Sequence, residues 1–91
     1  MRWSIIFPTH NRRECALANL ERLRELEPPA DEILVCADGC SDGTATAIRE
    51  QYPEVRLIET AGVGSVAARD LLMRAATGDW VLSLDDDSYP L

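Results

Sequence analysis

Three consecutive carboxylates near the end of the chain, Asp85, Asp86 and Asp87, have the chemistry to bind a cation. They follow directly on an apolar run over residues 80–84. Such a run predicts a strand, and the carboxyl edge of a parallel sheet is where open α/β folds bind ligands. Adjacent carboxylates repel one another, and a divalent cation relieves that repulsion. The trio therefore predicts a ligand or metal site, with a solvated acidic turn as the plain alternative.

Two further polar segments also follow apolar runs. Residues 8–12 read Pro-Thr-His-Asn-Arg, and residues 38–43 read Asp-Gly-Cys-Ser-Asp-Gly. Because the loops after parallel strands meet at one edge of a sheet, we expect both segments to share a crevice with the aspartates. Each has a structural alternative: Asp38 suits a turn, Arg12 suits a solvated first helical turn, and Asn11 with Glu14 resembles a capping box.

The elements that position these segments are predicted from hydrophobic spacing. Short apolar runs at 3–7, 33–37, 55–58 and 80–84 predict four strands. Helical spacing predicts a helix from Asn11 to Pro28, a second over 44–51, and a third that Ser65 caps and Gly78 ends. Continuously apolar strands alternating with helices indicate an α/β fold, a mainly parallel four-stranded sheet with helices on both faces. Residues 1–91 suit a single domain.

Composition excludes several classes of function. The net charge of −7 provides no basic footprint for nucleic acid. The chain contains no lysine, and no glycine follows the first strand, so P-loop and dinucleotide fingerprints are absent. We find no membrane-spanning run and no signal peptide, and the three cysteines lack CxxC spacing. These features predict reduced thiols, no direct membrane insertion and a cytoplasmic location.

Four segments together resemble a known family. They read P-T-H-N-R at 8–12, A-D-G-C-S-D-G-T at 37–44, V-G-S-V-A-A-R-D at 63–70 and G-D-W-V-L-S-L-D-D-D at 78–87. In this order and spacing the chain resembles the N-terminal half of a family 2 glycosyltransferase with the A-type fold, across essentially all 91 residues. The resemblance implies a Rossmann-like region that binds a nucleotide-diphosphate sugar. It also implies a whole enzyme that transfers the sugar to an acceptor with metal assistance and inversion.

The resemblance implies roles for residues around the nucleobase. Pro8 and Thr9 border the base, largely through their backbone, and Asp38 accepts a hydrogen bond from it. The base is usually uracil in the family, which favours a UDP-sugar. His10 stands where the family often has tyrosine, and we assign it no role.

The resemblance also implies roles at the diphosphate. Arg69 belongs to the nucleotide site, and Asp85 and Asp86 lie by the ribose and diphosphate. We also place Arg12 in the nucleotide site, because the loop that carries it follows the first strand. Asp87, together with Asp85, holds Mn²⁺ or Mg²⁺, since hard carboxylate oxygens suit these hard cations. The plain alternative for Arg69 is a surface ion pair with Asp70 or Glu59.

The catalytic base stays unassigned. In the resembled family that carboxylate lies downstream, in an acceptor-binding half, and we expect these 91 residues to be a truncated donor-binding part. Activity of the chain alone is uncertain, and an exposed edge at the fourth strand favours self-association. A non-catalytic α/β metal- or protein-interaction module is the alternative. A nucleotidyltransferase is disfavoured because residues 8–12 lack a glycine- and arginine-rich phosphate loop.

Overall fold

The fold is a parallel α/β sheet, as the sequence predicts. The computed structural model describes residues 2–26 and 29–86. Its elements are β1 (Trp3–Thr9), α1 (Arg13–Leu23), β2 (Glu32–Asp38), α2 (Thr44–Gln51), β3 (Arg56–Thr60), α3 (Ser65–Ala75) and β4 (Trp80–Ser83).

The strands lie in the order β3-β2-β1-β4, and every pair is parallel. In the centre of the sheet, Ile5 of β1 is in register with Ile33 of β2 and with Leu82 of β4. The first three strands progress in one direction, and the chain then returns through α3 to place β4 on the far side of β1. This reversal of strand order creates a crevice beyond the carboxyl ends of β1 and β4, the usual ligand position in open α/β sheets.

Helices cover both faces of the sheet because alternate strand residues point to opposite sides. One core contains β1 and β2 residues packed with α1 and α2: Ile5, Phe7, Val35, Leu20, Leu23 and Ile48. The core on the other face contains the alternate residues of β1 and β2 packed with α3: Ile6, Leu34, Cys36, Ala68 and Leu72. Since each face has its own core, the positions of all three loops at the carboxyl edge are set by packing on both sides.

Two predicted ends of α3 are wrong. Gly64 occupies the N-cap position with φ of 92°, and Ser65 is the first helical residue, without a capping side-chain bond. The helix ends at Ala75, so Gly78 does not terminate it. A Cβ atom at Gly78 would lie 2.9 Å from the backbone nitrogen of Ser4. Glycine at this position therefore permits close approach to β1.

The predicted start of α1 also differs from the structure. The helix begins at Arg13, and Arg12 occupies the N-cap position without making a capping bond through its own side chain. Asn11 instead has φ of 49°, in the left-handed region that asparagine tolerates better than most residues. The helix ends at Leu23, before the predicted stop at Pro28, which lies outside the described residues.

The edge position of β4 is confirmed within the sheet that residues 2–26 and 29–86 form. Trp80 on this strand is 64% exposed. Self-association through this edge stays a prediction. In the described part of the chain, no helix has the length and apolar character needed to cross a bilayer.

Glu32 ties three strands together at the edge opposite the predicted site. Its side chain, 9% exposed, accepts hydrogen bonds from the Ser4 hydroxyl at 2.7 Å, from Arg56 at 3.0 Å and from the backbone of Thr77. Burial alone would raise the pKa of this carboxyl, but these hydrogen bonds outweigh burial and lower the pKa to about 2. The charged form is thus the one that stabilises the fold.

We expect Glu32→Gln to lower the free energy of unfolding at pH 7 by about 2 kcal/mol, the scale of charge-assisted hydrogen bonds. Because the folded pKa lies below that of an ordinary glutamate, this stabilisation is complete above about pH 5. It disappears as the pH falls toward 2. Urea unfolding across this range measures the difference, with Glu50→Gln on the exposed side of α2 as control. A pH-independent difference would contradict the assignment.

Candidate functional site

A cleft of about 350 Å³ lies at the carboxyl edge of the sheet. Its lining residues are Pro8, Thr9, His10, Arg12, Asp38, Ser65, Arg69, Asp85 and Asp86. All predicted site residues that the structure describes are therefore brought together in one place. The remaining one, Asp87, lies outside the described residues.

Asp86 is a buried carboxylate that is held at one oxygen by the last residue of β1 and at the other by the loop after β1. The Thr9 hydroxyl donates to Oδ2 at 3.0 Å, and Arg12 Nη1 donates to Oδ1 at 2.9 Å. The Asp86 side chain is 8% exposed, whereas Arg12 is 48% exposed. This ion pair joins the end of β4 to the end of β1, and it fixes the orientation of the carboxylate at the cleft.

Arg69 reaches from α3 to the end of β4. Its Nη1 donates to the Ser83 hydroxyl at 2.7 Å and to the Leu84 carbonyl at 2.9 Å, while Nη2 pairs with Asp85. The alternative of a surface pair with Asp70 or Glu59 is wrong. Arg69 is held against the acidic cluster instead, so its charge lies in the cleft.

The two carboxylates considered as alternative partners of Arg69 are otherwise engaged. Asp70 accepts from Arg74 at 2.8 Å, one helical turn away, and Glu59 pairs with Arg49. Both are exposed ion pairs of the ordinary kind. Neither carboxylate therefore draws the guanidinium of Arg69 away from the acidic cluster.

Asp38 anchors the loop between β3 and α3. Its Oδ1 accepts from the Thr60 hydroxyl at 2.6 Å and from the N–H groups of Gly62 and Val63 at 3.0 and 2.7 Å. Its Oδ2 accepts from the Gly64 N–H at 2.9 Å. The Thr60 hydroxyl, with these N–H groups, holds the pKa of Asp38 below its usual range. The carboxylate thus supports the cleft wall, and only Oδ2 retains acceptor capacity for a ligand.

His10 and Ser65 line the cleft although neither was predicted to have a role there. The Nδ1 atom of His10 lies 2.6 Å from the Asp38 carbonyl oxygen. Because a carbonyl only accepts, Nδ1 of His10 donates this hydrogen bond. The position of His10 beside Thr9, at the end of β1, could have indicated its place in the cleft. For Ser65, the corresponding indication was its position at the start of α3.

The loops after β1 and β2 are joined by side-chain bonds, so the predicted capping box at Asn11 is wrong. Asn11 Oδ1 accepts from the Ser41 N–H at 2.7 Å, in the loop after β2. The first N–H of α1, at Arg13, is bound by Asp42 at 3.1 Å. The first turn of α1 is thus capped by a residue of the loop after β2. Because Asp42 is distant from α1 in sequence, the residues next to the helix do not indicate this cap.

The donor set at the acidic cluster fits a hard divalent cation. Asp85 is 67% exposed, and within the described residues its Oδ2 accepts no hydrogen bond, so an oxygen is available to an ion. No group of three potential ligands is assembled among residues 2–26 and 29–86. A site for Mn²⁺ or Mg²⁺ therefore depends on Asp85 together with Asp87, and it stays a prediction.

The chain matches a protein-family model described as Glycosyl transferase family 2 over residues 4–91. The fold and the order of the four motifs agree with this match, and the chain belongs to that family. The Rossmann-like A-type fold predicted from the sequence is confirmed.

The chain matches only part of the length of its known relatives. It is 33% identical over 92 residues to the uncharacterized glycosyltransferase YibD of Escherichia coli, covering 96% of this chain and 27% of that protein. Among solved structures it is similar to the mannosyltransferase PcManGT of Pyrobaculum calidifontis in complex with GDP-Man and Mn²⁺, with a TM-score of 0.84 and 31% identity. That match covers 94% of this chain and 27% of PcManGT.

A more distant structure supports the fold alone. TarS 1–349 of Staphylococcus aureus in complex with UDP superimposes with a TM-score of 0.68 at 23% identity. The match covers 98% of this chain and 28% of that structure. The chain thus spans about a quarter of the length of the proteins it resembles in structure.

Proposed function

We propose that this chain forms the donor-binding part of a glycosyltransferase. The whole protein would transfer a sugar from a nucleotide-diphosphate sugar to an acceptor, with divalent-metal assistance and inversion. The observation that carries the proposal is the convergence of residues from all four family motifs on one cleft. Family membership and the GDP-Man complex of the similar protein PcManGT support the same class of substrate.

The proposed base end of the cleft contains Pro8, Thr9, His10 and Asp38. Asp38 Oδ2 has capacity for one more hydrogen bond, which suits a ring N–H donor. The family resemblance favours UDP, and uracil offers one such group. Guanine offers one as well, and PcManGT was solved with GDP-Man. Comparing UDP with GDP therefore tests the base preference separately from nucleotide binding.

The proposed diphosphate end contains two guanidinium groups that are already neutralised. Arg12 pairs with Asp86, and Arg69 pairs with Asp85. A diphosphate brought to this neutral cluster would meet no net positive charge, so these residues alone attract it weakly. When bound, a divalent cation would supply the missing charge and stabilise the departing nucleoside diphosphate. Binding is thus expected to depend on metal.

The acceptor side of the reaction needs a general base for the attacking hydroxyl. We assign none to the described part of the chain. The proposal for this chain is accordingly nucleotide binding, with turnover assigned to the whole protein. A non-catalytic module remains the rival, and the next experiment separates the two.

We expect Arg69→Ala to weaken binding of UDP or GDP at least tenfold in the presence of Mn²⁺, equivalent to about 1.4 kcal/mol or more. The physical reason is loss of a cation that lies directly on the acidic cluster. Isothermal titration calorimetry with and without Mn²⁺ measures the change.

The matched control is Arg74→Ala, which removes an exposed arginine from the same helix. It is expected to bind like the unmodified protein, and thermal unfolding of both variants verifies that folded proteins are compared. Equal losses in the two variants, or no binding at millimolar nucleotide in the unmodified protein, would contradict the proposal and favour the non-catalytic module.

A further inference from the structure

The side chain of Asp42 connects the first turns of two helices. Its Oδ2 accepts from the N–H of Arg13, the first residue of α1, at 3.1 Å. Its Oδ1 accepts from the N–H of Thr44, the first residue of α2, at 3.1 Å and from the hydroxyl of the same residue. Asp42 does not line the cleft. It therefore acts on the cleft only through the elements it joins.

A second set of bonds joins the same two loops next to this bridge. The Asn11 side chain accepts from the Ser41 N–H at 2.7 Å, and the Asn11 N–H donates to Cys40 Sγ at 3.4 Å. Asn11 adopts a left-handed conformation with φ of 49°, which a lone turn would maintain poorly. The loop after β2 thus fixes the backbone immediately before α1.

Arg12 lies between these two anchor points. Its backbone is neither helical nor regular strand, with φ of −130° and ψ of 54°. Its guanidinium crosses to the end of β4 and bonds Asp86 at 2.9 Å. A long side chain reaches one defined partner only when the backbone that carries it is fixed.

We propose that Asp42 is a positioning residue that holds Arg12 on Asp86 and thereby shapes the nucleotide cleft. The effect on nucleotide affinity rests on the proposed function, whereas the effect on Arg12 does not. Asp42 needs both carboxylate oxygens for this task because each one serves a different helix. The Thr44 hydroxyl, with the backbone N–H groups of Arg13 and Thr44, keeps the pKa of Asp42 below its usual range, so the carboxylate is charged at neutral pH.

The variant Asp42→Ser tests whether Asp42 links the first turns of α1 and α2 or only caps α2. Serine has one short oxygen, which still caps α2 through the Thr44 N–H two residues on, but it does not reach Arg13. The guanidinium NMR signals of Arg12 report its pairing without any nucleotide. In the unmodified protein, the ion pair with Asp86 should slow the exchange of the Arg12 guanidinium protons with solvent. We expect this exchange to become faster in Asp42→Ser. We also expect UDP or GDP binding in the presence of Mn²⁺ to weaken five- to tenfold.

Asp31→Ser is the matched control. Asp31 also accepts a backbone N–H, that of Trp3 at 2.7 Å, but at the opposite end of β1. It is expected to leave the Arg12 signals and the nucleotide affinity unchanged. If Asp42→Ser behaves like this control, the positioning role is overturned. If the Arg12 signals change but the unmodified protein binds no nucleotide, the positioning role stands and the proposed function fails.

Discussion

Replacement of Asp38 by alanine is expected to lower the free energy of unfolding by about 3 kcal/mol, on the scale of charge-assisted hydrogen bonds. The variant leaves the Thr60 hydroxyl and three successive loop N–H groups without their shared acceptor. Gly62 and Val63 are exposed, so water replaces part of the loss. For a small domain this is a large share of its stability. Urea unfolding at pH 7 measures it.

The pH dependence of the same effect has a defined sign. Because hydrogen bonding depresses the pKa of Asp38 in the folded state, its stabilisation is present above the ordinary carboxyl pKa and is lost as the pH falls through the folded value. The difference between the unmodified protein and Asp38→Ala should therefore shrink in acid. Asp31→Ala, which loses one N–H bond, is the control and should cost about 1 kcal/mol. Equal costs for the two variants would contradict the anchoring role.

Replacement of Arg12 by alanine is expected to cost about 2 kcal/mol of stability, because it leaves a buried carboxylate without its cation. The Asp86 side chain is 8% exposed, and only the Thr9 hydroxyl would remain bonded to it among the contacts described above. Arg12 itself is half-exposed, which keeps the expected value below that of a fully buried pair. Chemical denaturation at neutral pH measures the loss.

A double-mutant cycle with Asp86→Asn isolates the ion pair. Neutralising the carboxylate removes the unpaired charge, so Arg12→Ala combined with Asp86→Asn should be more stable than Arg12→Ala alone. Strictly additive losses would show that the pair contributes little. That result would also weaken the account of how the loop after β1 is held to β4.

The architecture and the place of the site could be predicted because both follow from local patterns. Four short apolar runs alternate with segments of helical periodicity, and this alternation is typical of a parallel sheet covered by helices. In such a sheet the residues after β1, β2 and β4 meet at one edge whatever their detailed contacts. The convergence of Thr9, Asp38 and Asp86 on one cleft is the consequence.

The bonds within the site could not be predicted because they join residues distant in sequence. Asn11 and Ser65 have good local capping patterns, but Asp42 accepts from the first N–H of α1, and Gly64 occupies the N-cap position of α3. The sequence predicts Asp38 as a ligand residue, and in the structure it also accepts one hydrogen bond from the end of β3 and three from the loop after β3. A carboxylate that supports a loop and one that binds a ligand have the same sequence signal.

We propose that the cleft at the carboxyl edge binds a nucleotide diphosphate together with a divalent cation. Backbone amide NMR of the unmodified chain, titrated with UDP and with GDP in the presence of Mg²⁺, tests it most directly. We expect shifts confined to residues 9–12, 38, 62–69 and 83–87, with added Mn²⁺ broadening signals nearest Asp85. Unchanged spectra at millimolar nucleotide, or shifts centred on the opposite edge around Glu32, would contradict it.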